Sequence, residues 1–179
     1  MIVIDLEMSG LDPEQHGILS IGAVEFENPA NTFYGECRLR EGAIIDDEAT
    51  KIHGFSEDQM KNGKKSAKQV CEEFNVWSKD IAERTLAGQN LVSLDVPFLR
   101  KNFALNNILW SFGHRSVDTH AVAYSYFKRN NIPIPLHSDN RSDLSLDFLI
   151  KYFGLPKRNI HNALEDAKFT AEILKIILF

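Results

Sequence analysis

Ile2-Val3-Ile4 is an unbroken apolar run, and two acids, Asp5 and Glu7, close it. A run without polar alternation belongs to a central strand covered on both faces. The rest of the chain must therefore supply layers on either side. Residues two apart on a strand leave the same face, so both carboxylates stand side by side at the end of a buried platform. Neighbouring carboxylates repel, and both stay ionised only with a cation between them. Ordinary strand ends also carry Asp-x-Glu pairs, so the pair alone leaves site and accident both open.

Around this strand the pattern predicts a meander. Met8 to Pro13 reads as a turn, Ile18 to Phe26 as a second strand, Asn28-Pro29 as a break and Thr32 to Leu39 as a third strand. Helices follow. Ser66 and Gln69 make a capping box ahead of Val70, Phe74, Trp77 and Ile81 at helical spacing. Arg84 to Ala87, closed by Gly88, reads as a short strand, and Leu94, Phe98, Leu99 and Phe103 trace a helix. Val117-Asp118 ends a fifth strand, followed by an aromatic-rich helix through Phe127 and a loop from Ile132 to Arg141. Ser145 caps a helix that stops at Gly154, and a last helix runs from about Ala163 to Leu178 on a stripe of Ala167, Ala171, Leu174 and Leu178. Strands first, then strands alternating with helices, predict an α/β fold: a mixed sheet covered by helices.

The chain of 179 residues shows no internal repeat or linker, so residues 1–179 are expected to form one domain. With 44% hydrophobic residues and 12 Phe it can fill a core, which excludes disorder. No apolar run approaches the roughly 20 residues that span a bilayer, and the start lacks the basic and apolar stretches of a signal peptide. No membrane association is expected. Cys37 and Cys71 make neither a disulfide framework nor zinc spacing. Lying in predicted regular elements, they read as buried thiols of a reducing, cytoplasmic setting. The net charge of −5 argues against gripping long nucleic acid by electrostatics alone. Bound divalent cations, however, reverse the local sign. Lys61, Lys64, Lys65 and Lys68 fit either phosphate contact or a solvated helix face.

Two more stretches carry chemistry. Asn90 and Asp95 lie where a short strand gives way to a helix; a first-turn acid also simply complements the helix dipole. In His161-Asn162-Ala163-Leu164-Glu165-Asp166-Ala167, Asn162 and Glu165 form a second capping box. His161 then sits just outside the helix, free to turn toward Asp166, or to serve only as a packing residue there.

These three stretches, Asp5-Leu6-Glu7-Met8-Ser9-Gly10, Gly88-Gln89-Asn90 through Asp95-Val96-Pro97-Phe98-Leu99, and His161 to Ala167, resemble the exonuclease motifs of the DEDD superfamily. The histidine places the resemblance in its DnaQ-like branch, which includes polymerase proofreading subunits, RNase T and oligoribonuclease. Ile52-His53-Gly54-Phe55 also resembles a stretch these enzymes hold near substrate. The similarity covers nearly the whole chain. One departure stands out: the branch commonly has His-Asn where this chain has Gln89-Asn90.

The resemblance implies a ribonuclease H-like mixed five-stranded sheet flanked by helices. It implies that Asp5, Glu7, Asp95 and Asp166 hold two divalent cations, Mg²⁺ or Mn²⁺, with His161 as general base. The implied activity is 3′-to-5′ exonucleolytic hydrolysis of single-stranded DNA or RNA, releasing nucleoside 5′-monophosphates. Met8, Ser9, Gly10 and Leu11 would cradle the 3′-terminal nucleotide, with His53, Phe55 and Asn90 touching the substrate. Leu11 reads equally as a turn anchor, and His53 and Phe55 as loop residues pinning the meander to the first helix. Hard oxygen ligands suit such cations, and a histidine titrating near neutrality suits a base. Nucleic acid 3′ ends are the expected partners, with a DNA polymerase as a further one. Alternatives are a catalytically weak proofreading subunit that binds nucleic acid, or an oligoribonuclease. A phosphatase using Asp5 as nucleophile would want a second Asp two residues on, where this chain has Glu7. A binding module that had lost the chemistry would not need all five motif residues, which are intact.

Overall fold

The computed structural model describes residues 1–158 and 161–179. In chain order the elements are β1 (Ile2–Met8), β2 (Ile18–Glu25), β3 (Asn28–Glu36), α1 (Asp47–His53), α2 (Glu57–Asn62), α3 (Ala67–Ser78), β4 (Leu86–Gly88), α4 (Asp95–Leu105), β5 (Ser116–Asp118), α5 (Thr119–Arg129), α6 (Leu146–Tyr152) and α7 (Ala163–Leu178). The sheet runs β3-β2-β1-β4-β5. The β1, β2 and β3 pairs are antiparallel, while β4 is parallel to both β1 and β5. Strand β1 is thus central, as its unbroken apolar run requires.

Alternation along β1 divides the core in two. Ile2, Ile4 and Leu6 join Phe74, Phe98 and Phe103 on the face covered by α3 and α4. Val3 points the other way, into a cluster with Ala123, Phe127, Leu149, Ala167 and Leu174 from α5, α6 and α7. Asp5 and Glu7 share the parity of Val3, so their carboxylates leave on the α7 face. Position 22 on β2 stands opposite Asp5 in the ladder. It is a glycine because α7 arrives there: a Cβ on Gly22 would lie 2.1 Å from the carbonyl carbon of Ala163.

Several boundaries differ from the sequence expectation. Asn28-Pro29 opens β3 instead of breaking the chain, since β3 is an edge strand where a missing N–H costs little. The turn is Phe26-Glu27. Helix α3 ends at Ser78, so Ile81 is buried beyond it. Ile177, not Leu178, completes the buried stripe of α7, where Leu178 is exposed. Helices α1 and α2 add two short elements; α2 carries a full capping box from Ser56 and Gln59. On the surface, Lys61, Lys65 and Lys68 pair with Glu57, Glu73 and Glu72. Cys37 and Cys71 are free and buried, and burial pushes both thiols up to about 12. Among the described residues no helix is long and apolar enough to cross a membrane.

Candidate active site

The acids converge from three elements. Asp5 and Glu7 come from β1. Asp95 is the first residue of α4, and its Oδ1 accepts from the Leu6 amide at 2.9 Å, which ties the helix start to the strand between the two β1 acids. Asp166 lies in the first turn of α7, whose start is held by Asn162: its Oδ1 accepts from the Leu164 and Glu165 amides. The expected capping box is half made, because the reciprocal Glu165 contact is not formed among the described residues. His161 stands outside the helix as expected, with Nδ1 3.6 Å from Asp166 Oδ2.

Burial and mutual repulsion shape the electrostatics. Burial, then Asp95, Glu7 and Asp166, hold the Asp5 carboxyl well above the usual carboxylate range. Burial, with Asp166 as the main like charge, pushes Glu7 up to about 7. Burial also raises Asp95 to about 7 against the hydrogen bonds it accepts, and raises Asp166. Glu7 Oε1 and Asp166 Oδ1 are buried with no hydrogen-bond partner among the described residues. Ligand atoms of Glu7, His161 and Asp166 lie within 4.8 Å of one another. Unpaired buried carboxylate oxygens crowded in this way are the donor set a hard divalent cation takes. The residues present therefore fit the implied cations.

Sequence reading missed Arg158. Its Nε donates to Asp147 at 2.7 Å and its Nη1 to Asp166 at 2.5 Å, with Nη2 3.2 Å from His161 Nε2. Burial lowers the His161 pKa first, the Arg158 charge adds to that, and Asp166 and Asp147 oppose both. The only signal in the sequence was a basic residue three positions before a candidate base.

The remaining expected residues fall into two groups. Leu11 is 72% exposed on the turn after β1, an apolar side chain open to a ligand. Gly10 packs so closely on His16 that a Cβ would lie 2.2 Å from its ring. Ser9, by contrast, is buried and spends its hydroxyl inside, donating to the Ile44 carbonyl and accepting from the Gly17 amide. Met8, half-buried, ends β1 beside the acids. His53 is buried; its Nδ1 accepts from the Phe55 amide at 3.0 Å and its ring packs edge-on against Phe55. It shares with His161 a cavity of about 560 Å³, also bounded by Tyr34, Phe55 and Lys168. Asn90 is exposed in a left-handed turn (φ 52°), and its carbonyl accepts from the Ser93 and Leu94 amides. Gln89 turns away to the Leu144 carbonyl.

A central strand bearing paired acids, met by two helix-borne acids and a histidine, places the chain among the RNase H-like, DnaQ-like 3′-5′ exonucleases. The exonuclease family model of RNase T matches residues 2–174, and the chain belongs to that family. It is 32% identical over 179 residues to the DNA polymerase III subunit epsilon of Rickettsia typhi, spanning 96% of this chain and 71% of that one. It is 26% identical to the PolC-type DNA polymerase III of Thermotoga petrophila, covering 96% of this chain and 11% of that protein. Among solved structures, E. coli exonuclease I in complex with a dT13 oligonucleotide superposes with a TM-score of 0.81 at 18% identity, over 98% of this chain and 40% of that one. That likeness shows the fold.

Proposed function

We propose that residues 1–179 act as a single exonuclease domain that hydrolyses phosphodiester bonds from the 3′ end of single-stranded DNA or RNA and releases nucleoside 5′-monophosphates. The observation that carries this reading is the convergence of Asp5, Glu7, Asp95 and Asp166 beside His161 at one end of β1. Asp5, Glu7, Asp95 and Asp166 would hold two divalent cations, Mg²⁺ or Mn²⁺. When bound, these supply the positive charge that polarises the scissile phosphate and offsets charge in the transition state.

The chain's own residues do the rest. His161 accepts the proton of the attacking water on a ring nitrogen, a role its lowered pKa keeps open at neutral pH. The Leu6–Asp95 and Asn162–α7 hydrogen bonds hold the carboxylates in place before substrate arrives. The turn carrying Leu11 offers an apolar surface on which a terminal base can stack without sequence preference. His53 and Phe55, which line the same cavity as His161, and exposed Asn90 complete the substrate contacts in this reading.

A DNA polymerase is the protein partner we propose, supported by relatives named as polymerase III subunit epsilon and PolC-type polymerase. The free, buried thiols support a cytoplasmic setting. Digestion of 5′-labelled single-stranded DNA, short RNA and a mismatched duplex, with Mg²⁺ or with chelator, tests the reading. Stepwise shortening toward the label, silenced by chelation, is expected. Efficient cutting of circular single-stranded DNA, or full activity in excess chelator, would overturn it.

A further inference from the structure

Arg158 belongs to none of the three motifs, yet its guanidinium sits inside the site, with a side chain only 10% exposed. It makes three contacts at once. Nε holds Asp147, which is 68% exposed at the rim; Nη1 holds Asp166, which is 4% exposed; and Nη2 lies 3.2 Å from His161 Nε2. A guanidinium has donors only, so that last contact makes His161 Nε2 an acceptor and occupies its lone pair. One cation therefore engages both an acid and the base of the proposed reaction. It is also the positive charge that acts against the raised values of Asp5 and Glu7.

We propose that Arg158 is a positioning residue that stands in for a divalent cation, holding Asp166 and His161 until a metal ion binds and then yielding both. The inference rests on the two-cation reading above. A guanidinium on Asp166 Oδ2 and a dication on the same carboxylate repel each other across a poorly screened space, so the two exchange. Asp147 makes the exchange cheap, because Arg158 keeps this outer partner as it withdraws. The same movement uncovers His161 Nε2. The base is then free to take a proton only when the cations are in place.

Mn²⁺ titration by calorimetry, together with thermal melting in chelator, tests this on wild type, Arg158→Ala and Arg158→Lys. Arg158→Ala should melt lower without metal, since Asp166 loses its counter-charge. It should nevertheless bind Mn²⁺ more tightly, by about tenfold, the worth of one charge-assisted contact that no longer has to be displaced. Arg158→Lys, which keeps the charge but cannot span three partners, should fall between. A purely structural arginine would give the opposite sign, so unchanged or weaker Mn²⁺ binding in folded Arg158→Ala overturns the proposal. If that variant does not fold, Asp147→Asn decides. Without its outer anchor the guanidinium stays on Asp166 and Mn²⁺ binding should weaken; unchanged or tighter binding overturns the proposal. Failure of the wild type to bind Mn²⁺ would sink the two-cation reading and this inference with it. Wild-type binding with unaltered variants would sink this inference alone.

Discussion

Gly22 on β2 meets the backbone of Ala163 so closely that a Cβ there would lie 2.1 Å from the Ala163 carbonyl carbon and 2.2 Å from the Leu164 nitrogen. Because Gly22 is the ladder partner of Asp5, this contact sets how near the first turn of α7, with Asp166, comes to the acids of β1. Gly22→Ala should therefore force α7 outward. We expect a loss of about 1–3 kcal/mol of stability, the usual cost of overpacking. We also expect a disproportionate loss of cation binding. Chemical denaturation and Mn²⁺ titration measure the two effects; a variant that binds Mn²⁺ as wild type does would show that α7 is placed by other contacts.

Asp5→Asn separates stability from activity. Removing a charge held among Asp95, Glu7 and Asp166 relieves repulsion, so the metal-free variant should melt above metal-free wild type. Its activity should fall on the order of 10³-fold, corresponding to several kcal/mol of transition-state charge stabilisation. Melting curves in chelator and rates in Mg²⁺ check both. A lower melting temperature in chelator would contradict the account of the site as a repulsive cluster.

Stability without metal should depend on pH with an unusual sign. Glu7 and Asp95 titrate near 7 in the folded protein, against ordinary values of 4.5 and 3.8. Between those limits the folded state holds protons that the unfolded chain has released. Their contribution to stability is present below the unfolded values and is lost as pH rises toward 7. In chelator, the melting temperature should drop from about pH 5 to about pH 7, as unfolding free energy falls by at most ~1.4 kcal/mol per pH unit for each group. Saturating Mg²⁺ should flatten the curve, and Glu7→Gln should make it shallower, leaving the Asp95 share. A melting temperature that climbs over this window would refute the assignment.

His161→Ala should retain cation binding, since the carboxylates remain, and lose roughly 10²–10⁴ in rate, the usual value of general base catalysis. Wild-type rate should rise with pH through the histidine titration, and the variant should lack that limb. Wild-type turnover in the variant would leave His161 a purely structural residue.

Much of this protein is legible in short stretches of its sequence. The apolar run before Asp5 placed β1 at the centre of the sheet, and two-residue alternation put Asp5 and Glu7 on one face with Val3. Ser66, Ser145 and Asn162 each cap the helix that follows, because capping is decided within three or four residues. The same local chemistry put Asp166 in a first turn and left His161 outside α7, whereas α4, which begins at Asp95, has no side-chain cap. What lies beyond such short range was decided by packing. Ser9 belongs to a motif, yet its hydroxyl is taken by Ile44 and Gly17, which reach it only after the chain has turned back. Gln89 goes to Leu144, 55 residues away. Arg158 finds its carboxylate partners only when Asp147 and Asp166, on two different helices, close around it. Alternation and capping are properties of neighbours along the chain, so the sequence alone determines them. The partners of a long charged side chain, and the gap a glycine leaves for a helix, exist only once separate elements have docked, and the tertiary structure decides those.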